Sequence, residues 1–130
     1  MPAHVIYNKV DAKPAGFSRI WIQDVLRARL GYDGVVFSDD LTMEGASVAG
    51  DIVERARAAL EAGCDMALVC NRPDLADDLL QRYRVEQSKV SQARVTRLLP
   101  KRARFDWKAL QRTPAYQQAL TSVRSLNEGR

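Results

Sequence analysis

Two short, unbroken apolar runs constrain this chain more than any other feature. Gly34-Val35-Val36-Phe37-Ser38 and Met66-Ala67-Leu68-Val69-Cys70 are too short for helices and lack the alternation of a half-exposed strand. Each therefore reads as a strand buried on both faces, the pattern of a parallel sheet. Between them Ile52, Val53, Ala56, Ala59 and Leu60 recur at helical spacing and end at Gly63, which supplies the crossover that parallel neighbours need.

The same unit extends in both directions. Upstream, His4-Val5-Ile6-Tyr7 reads as the end of a strand, followed by a turn-rich stretch from Asn8 to Gly16. Ser18 is placed to cap a helix over 18–30 whose apolar positions are Trp21, Ile22, Val25, Leu26 and Leu30, with Gly31 as its stop. Downstream, Pro73 opens a third helix expected to bury Leu75, Leu79 and Leu80. Residues 88–128 read as helix in two pieces, broken near Pro100 and again by Pro114. The order strand, helix, strand, helix, strand, helix implies an α/β fold with right-handed crossovers.

Charge divides the chain unevenly. Residues 1–80 hold eight Lys/Arg against thirteen Asp/Glu, and residues 81–130 hold twelve against three. A basic tail can bind nucleic acid, but these charges lie along helical sequence without interleaved aromatics, which reads as a solvated helical face. No apolar run approaches the length of a membrane span, and the first thirty residues lack the order of a secretory signal, so a cytoplasmic location is expected. Cys64 and Cys70 read as free thiols, and with His4 the only histidine there are too few ligands for a zinc site.

The segment that carries chemistry is Gly34 to Gly45, because Asp39 and Asp40 fall at the carboxyl end of a strand, where α/β folds gather functional groups. A turn in which an Asp accepts backbone N–H bonds is the competing reading. Gly45 and Gly50 have the spacing of a phosphate loop but Asp51 stands where Lys is needed, and neither Gly-x-Ser-x-Gly nor Gly-x-Gly-x-x-Gly occurs. Carboxylate chemistry remains.

The runs Met1 to Tyr7, Pro14-Ala15-Gly16-Phe17-Ser18, Gly34 to Gly45 and Ala62-Gly63-Cys64-Asp65-Met66 through Val69-Cys70-Asn71 resemble, in order and spacing, the C-terminal portion of bacterial family 3 glycoside hydrolases. The resemblance is to the cytoplasmic β-N-acetylglucosaminidases of peptidoglycan recycling within that family, and it is most distinct over residues 1–80. It implies that residues 1–86 are the last three βα units of a (β/α)8 barrel and that 87–130 are basic C-terminal helices.

It also implies a retaining hydrolase that removes terminal non-reducing β-N-acetylglucosamine from muropeptides, with no cofactor, no metal, no nucleic-acid partner and a monomeric full-length form. Asp39 matches the nucleophile, Asp40 the neighbouring carboxylate, and His4 falls in a different motif, as a structural or pocket-lining residue. The acid/base loop and the earlier sugar-binding residues are expected before this chain's first residue. A (β/α)8 barrel needs roughly 200 residues, and this chain has 130. A fragment, inactive by itself, is the expectation. The alternative is a small non-enzymatic α/β module whose basic C-terminal region binds nucleic acid or a protein.

Overall fold

A computed structural model of the chain describes residues 1–86, 88–100 and 106–128. It comprises two compact units, Met1–Leu98 and Leu99–Arg130.

The first unit is built on a two-stranded parallel sheet. Strand β1, Phe37–Asp40, pairs with β2, Met66–Leu68, and helix α1, Ile52–Ala62, connects them. Asp51 caps α1 by accepting the N–H groups of Val53 and Glu54, while Glu54 returns a bond to the Asp51 N–H, a reciprocal box that starts the helix sharply. Gly63 ends it at φ +117°, a conformation that L side chains rarely adopt. Ile52, Val53, Ala56, Ala59 and Ala62 of α1 are buried, and they pack with Ile22, Val36, Leu41 and Phe17 in one core.

The helix expected over 18–30 is present as Ile20–Arg29, wound loosely enough that Leu30 N–H bonds to Val25 C=O five residues back. The Ser18 hydroxyl accepts from Trp21 N–H, as its position predicts, and also donates to Asp11. Gly31 turns the chain away at φ +66°.

Five expectations need correction. Strand β2 stops at Leu68 instead of running to Cys70, and it is not buried on both faces, since Met66 is exposed and Ala67 and Leu68 are half-buried. His4–Tyr7 is not a strand of the parallel sheet: the chain folds back through bonds to Tyr7 C=O, and the segment pairs only briefly with the following turn, by an isolated antiparallel bridge from Ile6 to Pro14 and by Ala15 N–H to Val5 C=O. The strand expected at 34–38 lies further on, at Phe37–Asp40, and it is buried on the Val36 and Ser38 side while Phe37 and Asp39 are half-buried. Helix α2, Pro73–Arg82, begins at its proline but buries no residue fully; Leu75 and Leu79 are half-buried and Leu80 is 65% exposed. The basic region holds three helices rather than two: α3 (Lys89–Thr96) in the first unit, and α4 (Trp107–Gln111) and α5 (Pro114–Glu128) in the second. Pro114 opens α5 instead of interrupting it, since a proline at the first helical position gives up no bond. Residues 101–105, within the expected helical tail, lie outside the described residues.

Charged groups tie the far ends of the first unit together. Asp65 is buried, accepts from Arg27 at 2.7 Å and from the Val36 N–H at 2.9 Å, and is approached by Arg94 at 3.3 Å. Asp33, bound by Arg94 and Arg97, is held down to about 2 by those two guanidinium groups. In the second unit the Asp106 carboxylate caps α4 through Ala109 N–H, and Trp107 meets Tyr116 edge-on at 5.7 Å.

Candidate functional site

The turn after β1 is where sequence and structure converge. Ser38 sits at the core side of the strand, fully buried, and its hydroxyl accepts the Leu68 N–H, so the side chain stands in for a ladder bond. The next two residues carry their carboxyl groups out of the sheet end, and their environments differ.

Asp40 is fully engaged. Its Oδ1 accepts the N–H groups of Thr42 (2.9 Å) and Cys70 (3.1 Å), and its Oδ2 accepts the Thr42 hydroxyl at 2.7 Å. Burial works to raise the Asp40 pKa, but the bonds from Thr42 and Cys70, aided by His4, outweigh it and hold the carboxyl below its ordinary value. This side chain stitches the end of β1 to the end of β2. Asp39 uses Oδ1 to accept the Asp40 N–H at 2.9 Å, and among the described residues its second oxygen has no protein partner. One carboxylate of the pair is held on both oxygens; the other, among the described residues, is held on one.

His4 comes to the same turn from the N-terminal segment. Its Nε2 lies 3.0 Å from the Asp40 carbonyl, and since a carbonyl only accepts, this nitrogen carries the hydrogen. Nδ1 is buried without a partner, and the ring packs on Phe17 with centroids 5.2 Å apart. The structure thus brings Asp39, Asp40 and His4 to one turn, with Thr42 and the Cys70 backbone as members that the sequence reading missed. A hydroxyl residue two positions after an Asp is the pattern of a side-chain-closed turn, and it was the available signal for Thr42. Nothing local pointed to Cys70, thirty residues away.

Clefts of about 560, 330 and 170 Å³ are found among the described residues of the first unit, and these are not lined by Asp39, Asp40 or His4. The one of about 560 Å³ is apolar and lies beside Trp21, Val25 and Leu30. Cys64 and Cys70 are free; Cys64 is buried, and burial, followed by the Asp65 charge, pushes its thiol up to about 12. Among the described residues no three His, Cys, Asp or Glu side chains come together as a metal centre requires, and no helix is long and apolar enough to cross a membrane.

The basic region is largely neutralised where it is described in the first unit. Arg82 pairs with Asp51 and Asp78, Arg94 with Asp33 and Asp65, and Arg97 with Asp33. Those arginines do not form an open basic patch of the kind a phosphate backbone needs.

Comparison with known proteins places the chain in a family. Residues 1–100 match the family described as glycosyl hydrolase family 3 N terminal domain. The beta-hexosaminidase of Bordetella pertussis is 68% identical over 119 residues, which are 92% of this chain and 34% of that protein. The chain thus spans about a third of the length of the curated relatives it matches. Among solved structures it resembles NagZ from Neisseria gonorrhoeae in complex with N-trifluoroacetyl-D-glucosamine, at 44% identity and a TM-score of 0.80, covering 97% of this chain and 35% of that one. The beta-N-acetylglucosaminidase from Thermotoga maritima is similar at 33% identity and a TM-score of 0.57, covering 73% of this chain and 23% of that one. On the sequence match over most of its length, the chain belongs to glycosyl hydrolase family 3.

Proposed function

We propose that the chain is the nucleophile-bearing part of a retaining β-N-acetylglucosaminidase that removes terminal non-reducing β-linked N-acetylglucosamine from peptidoglycan fragments. The observation that carries this reading is the unequal carboxylate pair at the end of β1, with Asp40 fully hydrogen-bonded and Asp39 keeping one oxygen unpartnered. The parallel β1–β2 pair and its α1 crossover support placing residues 1–86 as βα units six to eight of a (β/α)8 barrel, with 87–130 as helices outside it.

In this reading the Asp39 carboxylate attacks the anomeric carbon and the glycosidic bond breaks as a general acid protonates the leaving oxygen. Water then hydrolyses the glycosyl ester, with the same acid/base group now taking its proton. Asp40 does not serve as that second group, because its oxygens already accept three bonds. The acid/base and most sugar contacts come from the part of the longer relatives that this chain does not match, so the chain by itself turns over no substrate. The chemistry calls for no cofactor. Two free thiols favour a cytoplasmic setting.

The test is a graft in which this chain replaces the matching third of the Bordetella pertussis relative, assayed with a chromogenic β-N-acetylglucosaminide. The graft should be active and the chain alone inactive, and Asp39→Ala should lower turnover of the graft by about three orders of magnitude or more. Near-normal turnover of the Asp39→Ala graft would sink the assignment.

A further inference from the structure

His4 bonds to the backbone next to Asp39 and to neither carboxylate of the pair. The Asp40–Leu41 peptide is gripped at both ends: its carbonyl accepts from His4 Nε2 at 3.0 Å and its N–H donates to Leu68 C=O at 2.8 Å. One grip comes from the N-terminal segment and the other from β2. Between that peptide and the Asp39–Asp40 peptide stands the Asp40 Cα, whose side chain is fixed by Thr42 and Cys70. The Asp39–Asp40 peptide then presents the N–H that binds Asp39 Oδ1. A chain of four bonded groups therefore runs from the His4 ring to one oxygen of Asp39.

The surroundings of His4 are built to keep it there. A Cβ on Gly45 would stand 2.9 Å from the His4 Cβ, so Gly45 makes room for this residue, and one on Gly16 would press at 3.3 Å on Pro2 C=O, two residues before it. Phe17 covers one side of it. With Nε2 engaged and Nδ1 buried, neither nitrogen is offered to a sugar.

We infer that His4 is a positioning residue: its Nε2–H bond to the Asp40 carbonyl sets the plane of the Asp39–Asp40 peptide and so the orientation of the Asp39 carboxylate. The inference rests on the glycosidase reading above for its catalytic consequence, and on geometry alone for its structural one. A misplacement of about 1 Å at a reacting group can cost on the order of a hundredfold in rate, which makes such a remote grip measurable.

Two substitutions separate the hydrogen bond from the packing. His4→Phe keeps an aromatic ring against Phe17 and removes the donor, while His4→Gln returns an N–H donor at similar reach. In the graft, His4→Phe should lower kcat by about tenfold to a hundredfold with KM within about twofold, and His4→Gln should recover most of the loss. In the chain alone, His4→Phe should speed amide exchange at Asp40 and Leu41 and leave Ala59, inside α1, unchanged. The inference is overturned if His4→Phe raises KM at constant kcat, as loss of a sugar contact would, if His4→Gln is no better than His4→Phe, or if exchange at Asp40 and Leu41 is unaffected. A graft that is inactive with His4 in place overturns the glycosidase reading instead, and the exchange measurement then decides the positioning role.

Discussion

The segment from Val36 to Cys70 and the segment from Asp106 to Glu128 both show ordinary turn and helix signals, yet they are held by different kinds of bond. In the first, side chains close loops of 28 to 30 residues, from Thr42 to Cys70 C=O, Asp65 to Val36 N–H, Ser38 to Leu68 N–H and Asp40 to Cys70 N–H. In the second, the side-chain bonds among the described residues, such as Asp106 to Ala109 and Gln117 to Gln111, span six residues or fewer, and Val123 and Leu126 are 56% and 73% exposed. The first arrangement orders the Asp39–Asp40 turn because distant backbone is brought to it. The second has amphipathic helices whose apolar faces are largely uncovered, and helices of that length draw most of their stability from packing.

The largest effect should come from Asp65→Ala, which strands the Arg27 guanidinium without its carboxylate and the Val36 N–H without an acceptor. A loss of about 3–5 kcal/mol is expected, measured by urea unfolding, with β1 the element that loosens. A change of under about 1 kcal/mol would mean that the long-range bonds do not hold the first segment. The same comparison can be made with one substitution at two places. Leu41→Ala, at a position with 0% exposure, should cost about 2–5 kcal/mol, whereas Leu126→Ala should stay within about 0.5 kcal/mol. Equal losses at the two sites would erase the distinction.

Gly63→Ala should fall between these, at about 1–2 kcal/mol, because it forces a left-handed residue at φ +117° and presses on Gln23 and Ile22. The smallest effect is electrostatic. Asp33 is held down to about 2 by Arg97 and Arg94, so it contributes stability above its unfolded value near 4 and loses it as pH falls through 2. Amide exchange in α3, which carries both Arg94 and the residues leading to Arg97, should therefore rise selectively between about pH 4 and pH 2, relative to α5. Equal changes in the two helices would contradict the pairing.

How much of this was legible in the sequence differs by element. Helix Ile20–Arg29 and α1 follow from apolar spacing with Gly31 and Gly63 as stops, because those signals are local and complete within a few residues. Strand β1 was placed too early because apolar content marks burial, whereas the strand continues through Ser38, Asp39 and Asp40 on backbone pairing with β2. Leu80 fits the helical stripe of α2, but a stripe says which face could be covered and not that anything covers it. The Asp39–Asp40 turn was legible as a candidate site from its place after a strand, and the family resemblance put Asp39 ahead of Asp40; the bonds that hold Asp40 were not legible, since they involve Cys70 and His4, thirty and thirty-six residues away.

The central claim is that, of two adjacent carboxylates, Asp39 is the one left free to form a covalent bond. Its most direct test is a mechanism-based fluorosugar that traps the glycosyl-enzyme intermediate on the grafted enzyme, followed by mass-spectrometric mapping of the peptide around Phe37 to Met43. The account predicts the label on Asp39, with Asp40 unmodified. Recovery of the sugar on Asp40 would contradict it.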